Sequence, residues 1–122
     1  MNARPIAEQF ARAARYAATT GTDLVDQLAA VMDESRERMA GLRPHATAWR
    51  VLPLLIAQPI VDTGYVRRRL AVSAMTAQRA LDQLTESGVL KETTGRSRNR
   101  VWQHAGILSV LDAYAATVRR DG

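Results

Sequence analysis

The sequence predicts a mainly α-helical fold with one small β-hairpin: an N-terminal helical pair, a winged helix-turn-helix and a C-terminal helix. Three observations lead there. Apolar residues recur at helical spacing through most of the 122 residues. The stretch "AVSA", residues 71–74, has the small and capping residues that a tight corner between two helices needs. Past Gly88, the β-prone runs "VLKETT" and "RVWQ" are joined by "GRSRN", a turn-rich link. Helix, short helix, turn, helix and hairpin follow one another at workable lengths. The plainer alternative is a generic small helical domain that happens to end in a hairpin.

The elements follow in order. Residues 5–19 read as a helix, with Pro5 at a first-turn position, Gly21 past the end and a stripe of Ile6, Phe10, Ala13 and Ala17. Thr22 can cap a second helix to about Ala40, with a stripe of Val25, Leu28, Val31, Met32 and Met39 and a stop at Gly41. This pair has a single apolar seam, so its stability depends on packing against something else. "LRPHATAW" marks a boundary, which gives a helical hairpin over residues 1–42 and a winged helix-turn-helix domain over residues 43–122.

In the second unit, Trp49, Val51, Leu52, Leu55 and Ile56 mark a third helix that Pro53 bends and Pro59 ends. "DTGYVRRRLAV" gives two helical turns, apolar at Val66, Leu70 and Ala71. The next helix has Ser73 as N-cap, Ala77, Ala80, Leu81 and Leu84 facing inward, and Gly88 at its end. After the hairpin, residues 106–119 form a last helix.

Composition excludes several classes. There is no cysteine, which removes disulfides, thiolate zinc sites and cysteine nucleophiles. No apolar run approaches the roughly 18 residues of a membrane span. Glu8, Arg12 and Arg15 interrupt any signal-peptide core, so a cytoplasmic protein without a membrane partner is expected. Catalysis finds no support: His45 and His104 lie at connections, and His104 reads as a helix cap or surface residue. Asp33, Glu34 and Glu37 alternate with Arg36 and Arg38, as on a solvated helix face. No glycine loop for phosphates is present, and neither an enzyme nor a cofactor is expected.

The net charge of +5 is unevenly distributed. Residues 1–42 hold five Arg against six acids, residues 43–104 nine Arg and one Lys against four acids, and residues 105–122 two of each sign. All the positive excess therefore lies in the winged segment, which suits a polyanionic partner.

Duplex DNA is that expected partner, met by polar side chains at base edges and by cations at phosphates. Opposite the inward face of the helix after Ser73 stand Met75, Gln78, Arg79, Asp82 and Glu86. Gln78 can bridge an adenine edge, Arg79 can reach guanine or a phosphate, and Thr76 flanks the same turn. Asp82 and Glu86 would repel a duplex. Arg67 and Arg68, with Arg69, point about 100° apart, so one or two of the three can meet a backbone. Arg96 and Arg98 extend from the wing tip, whereas Arg100 stands beside Trp102, suited to its ring or to Glu92.

The last helix suggests another use. Ile107, Leu111, Tyr114 and Val118 form a seam spaced 4, 3 and 4, while Leu108, Val110 and Ala115 add apolar surface elsewhere. Such a seam suits a homodimer interface, or it simply closes the core. The rival reading of the protein is accordingly a protein-interaction module that touches no nucleic acid.

Residues 48–103 resemble the C-terminal winged-helix region of bacterial Fic-family proteins. "TAQRALDQLTESGVL" and "TGRSRNRVW" carry most of the likeness. The upstream "FARAARYAATTGTDLVDQLAAVMDESRERM" is similar to the helices that follow the catalytic core in that family. The resemblance implies a regulatory or positioning module of a nucleotidyl-transferring protein. The family's His-Pro-Phe loop, with its phosphate-cradling Gly-Asn segment, is missing here, as is its inhibitory-helix motif, so nucleotidyl transfer does not carry over.

Overall fold

The structure, a computed structural model, describes residues 22–93 and 99–121. The helix expected over residues 5–19 lies outside them, as do residues 95–98 of the wing tip expected at residues 95–99. The first described helix, α1, covers residues 22–38. Met32 and Met39 are buried in the central core, and Leu28 and Val31 pack against it. Val25, expected in the same stripe, is 64% exposed, because α1 meets the core only from Leu28 onward.

Pro53 does more than bend the third helix. It leaves two one-turn helices, α2 (Thr47–Val51) and α3 (Leu54–Ala57), with the break at Leu52 and Pro53. Proline lacks the N–H that would continue the ladder, and its ring crowds the preceding turn. Val51, Leu52 and Leu55 are buried, while Ile56 is exposed, because the break turns it out of the stripe.

Pro59 ends α3 and leads into a strand that the sequence did not announce, β1 (Ile60–Val61). It completes a three-stranded antiparallel sheet with β2 (Lys91–Glu92) and β3 (Trp102–Gln103), in the order β1-β3-β2. Val61 and Glu92 both stand opposite Trp102, whose side chain is fully buried.

The helix-turn-helix consists of α4 (Thr63–Leu70) and α5 (Ala74–Glu86). Asp62 caps α4 by accepting from the Tyr65 N–H at 2.7 Å. Ala71, expected on the apolar side of α4, is instead its exposed C-cap at φ 54°, ψ 49°, which turns the chain toward α5. Arg50 from α2 donates to the Leu70 carbonyl at 3.3 Å, satisfying an end group of α4. Ser73 caps α5 by accepting from the Thr76 N–H at 3.1 Å. Ala77, Ala80, Leu81 and Leu84 face inward as their spacing predicts. Gly88, at φ 83°, ends α5 in the left-handed conformation that glycine adopts without Cβ strain.

The last helix, α6 (Ala105–Asp121), starts at a buried histidine. His104 Nδ1 accepts from the Ile107 N–H at 3.1 Å, and Nε2 lies 2.8 Å from Ser35 Oγ on α1. Because Nδ1 accepts, the proton sits on Nε2 and is donated to Ser35, whose hydroxyl donates onward to the Val31 carbonyl at 2.9 Å. Burial lowers the His104 pKa below its ordinary value, the largest of its influences; nearby Glu34 acts against that shift and Arg38 with it. No helix among the described residues is long and apolar enough to cross a membrane.

Candidate nucleic-acid interface

α5 packs against α2 and α4, which leaves its opposite face to solvent. On that face Met75 is 71% exposed, and Arg79, Asp82 and Glu86 are exposed as well. Gln78 is half-buried and already engaged: its Nε2 donates to Asp82 Oδ1 at 2.9 Å, and its Oε1 accepts from the Thr63 hydroxyl at 3.5 Å. Thr76 belongs to the cap of α5, since its hydroxyl accepts from Ser73 Oγ at 3.0 Å.

The arginines fall into two sets. On α1, Arg36 pairs with Asp33 and Arg38 with Glu34, each at 2.8 Å, as a solvated face does. At the base of the wing, Arg100 makes a forked pair with Glu92 at 2.8 and 2.7 Å, and its guanidinium lies 4.8 Å from the Trp102 ring centre. The hydrogen bond to Arg100 holds the Glu92 carboxyl below its usual range and raises the guanidinium in turn. Arg100 is therefore a structural residue of the hairpin.

Among the described residues, Arg43, Arg50, Arg67, Arg68, Arg69, Arg79, Arg119 and Arg120 form the second set: none makes an ion pair, and all are exposed. Arg68 folds back along α4 over Gly64, 3.0 Å from where a Cβ would stand there. Arg96 and Arg98 lie outside the described residues.

Sequence reasoning missed the loop at residues 41–46. Arg43 and His45 line a groove of about 850 Å³ whose other wall includes Thr76, Arg79 and Gln83 of α5. The Trp49 indole N–H donates to the Arg43 carbonyl at 2.9 Å and fixes the loop on α2. The available signal was two basic side chains flanking Pro44 just ahead of a helix, in a stretch that otherwise reads as a linker.

The seam on α6 divides along its length. Ile107 is fully buried in the chain's own core and Leu111 packs against that core. Tyr114 is half-buried, and Val118 is 45% exposed. Among the described residues there is no group of three or more His, Asp or Glu side chains placed to hold a metal ion.

Residues 49–108 match a family model described as an HTH DNA binding domain. The chain is 36% identical over 73 residues to an error-prone DNA polymerase of Azoarcus sp. (strain BH72), a match spanning 60% of this chain and 6% of that protein. Among solved structures it is similar to a MarR family protein from Bacillus stearothermophilus, at 16% identity and a TM-score of 0.43, covering 98% of this chain and 81% of that one.

Proposed function

We propose that the winged helix-turn-helix of residues 43–122 binds duplex DNA and acts by binding rather than by catalysis. The sorting of the arginines carries this reading. Arg36, Arg38 and Arg100 are neutralised by acids of the chain, whereas the arginines of the helix-turn-helix itself, Arg67, Arg68 and Arg69 on α4 and Arg79 on the outward face of α5, are exposed and unpaired. Unpaired surface cations around a solvent-facing helix are what phosphate contacts require. The match of residues 49–108 to a helix-turn-helix model supports the same reading. To the same partner we assign Thr76 at the first turn of α5, Arg43 and His45 across the groove, and, from the sequence alone, Arg96 and Arg98. A DNA partner fits a cytoplasmic, regulatory or positioning role. The Fic origin rests on the sequence resemblance, which the motifs in residues 76–90 and 94–102 carry for the most part.

Titration of a duplex at two salt concentrations tests the proposal. Three to five phosphate contacts give a log–log slope of about −3 to −4.5, and Arg96→Ala/Arg98→Ala makes it shallower by about 2. Absent or salt-independent binding at low ionic strength refutes it.

A second reading, association through α6, draws on the exposed Val118 and half-buried Tyr114. Light scattering decides it: a monomer mass at high concentration removes the dimer.

A further inference from the structure

Asp82 poses a problem for any polyanionic partner, because its carboxylate stands exposed on the outward face of α5. Its hydrogen bond gives it another role. A carboxylate only accepts, so the Gln78 amide must turn its Nε2 toward Asp82 Oδ1, 2.9 Å away. That fixes Oε1 on the other side, where the Thr63 hydroxyl approaches at 3.5 Å. Gln78 is thus held chiefly by Asp82 one turn further along α5, with a long, weak contact from Thr63 in the first turn of α4.

An amide nitrogen has two hydrogens and an amide oxygen two lone pairs. Asp82 uses one hydrogen and Thr63 one lone pair, leaving one donor and one acceptor on adjacent atoms of a side chain whose orientation is already set. In the major groove adenine presents N7, an acceptor, beside the N6 amino group, a donor, which is the complementary pair. Guanine presents two acceptors there and would leave Oε1 facing another oxygen.

We infer that α5 reads an adenine through Gln78, and that Asp82 is the positioning residue that aims the Gln78 amide at it. The inference rests on the proposed duplex binding and names the base class read at that site. Asp82 then trades general affinity for selectivity: its charge weakens binding to every duplex, while its acceptor oxygen sharpens the choice of base.

Selection from a randomised duplex library at low salt tests this, using the whole chain as wild type, Gln78→Ala, Asp82→Ala and Asp82→Asn, with the affinity of each also measured on an unselected duplex. The wild type selects adenine at one position by about tenfold over the next base. Gln78→Ala abolishes that preference and leaves the salt slope unchanged. Asp82→Ala binds the unselected duplex more tightly yet loses most of the adenine preference. Asp82→Asn keeps an acceptor without the charge, so it binds more tightly and retains the preference. An Asp82→Ala variant that binds more tightly with its adenine preference intact overturns the inference, since Asp82 then only repels. A wild-type motif with no position sensitive to Gln78→Ala overturns it as well, although salt-dependent binding would leave the DNA reading standing. Loss of all salt-dependent duplex binding by the wild type refutes both.

Discussion

At residue 104 an imidazole ties together segments far apart in the chain. It caps α6 through Nδ1, holds Ser35 of α1 through Nε2, and its backbone N–H donates to the Pro59 carbonyl at 2.9 Å. The sequence suggested a cap or a surface residue, because the histidine stands directly before a helix; the cap forms but the side chain is buried, and its partner 69 residues away left no local trace. Protonation of Nδ1 destroys the acceptor on which the cap depends. Because burial lowers the folded-state pKa, the unfolded chain binds the proton more readily. Stability is therefore complete above the ordinary value of 6.5 and falls as the pH drops below it, until the folded form also titrates. Urea unfolding between pH 7 and pH 5 registers this loss. His104→Gln flattens the acid dependence and lowers stability at pH 7 by about 1–3 kcal/mol, since a well-placed buried hydrogen-bonding group is replaced by a poorer one. Asp82 teaches a related lesson. Its charge was legible and implied repulsion, while its hydrogen bond to Gln78 depends on rotamers that spacing does not specify.

The helix-turn-helix was the most legible element. Ser73, Gly88 and the four inward positions of α5 are local signals, and local signals survive into the fold. β1 was not legible, because two residues after a proline show no alternation and pair only through contacts with β3. The wing divides by the same logic. Its base is set by Arg100, Glu92 and Trp102, which touch across the hairpin and were suggested by their proximity in sequence. Since Glu92 already neutralises Arg100, Arg100→Ala leaves the salt slope of duplex binding unchanged. Arg79→Ala, which removes an unpaired cation, makes that slope shallower by about 1. A pair of titrations measures both. An equal change in the two variants would place Arg100 among the phosphate contacts.

For the molecule as a whole, the core does not stop at the boundary that Pro44 suggests. Met32 of α1 and Met39 just past its end belong to the same buried cluster as Trp102, Leu84 and Val66. Arg38 adds a bond from α1 to the Gly88 carbonyl at 3.3 Å, at the end of α5. A chain cut at residue 43 loses both methionines and leaves His104 without Ser35. Its stability falls by on the order of 4 kcal/mol or more, counted as two large buried side chains removed. The urea midpoint of residues 43–122 measured beside the whole chain checks this; equal midpoints would show that α1 adds nothing to the core.

The sheet's place in this arrangement has a consequence for handling the protein in concentrated solution. β1 forms one rim of the sheet, is two residues long, and follows a proline that has no hydrogen to donate. Rims are where foreign strands dock and aggregates begin, and this one offers an incoming chain almost nothing to pair with. Clumping by strand addition is thereby discouraged at β1 without any charge placed there to prevent it.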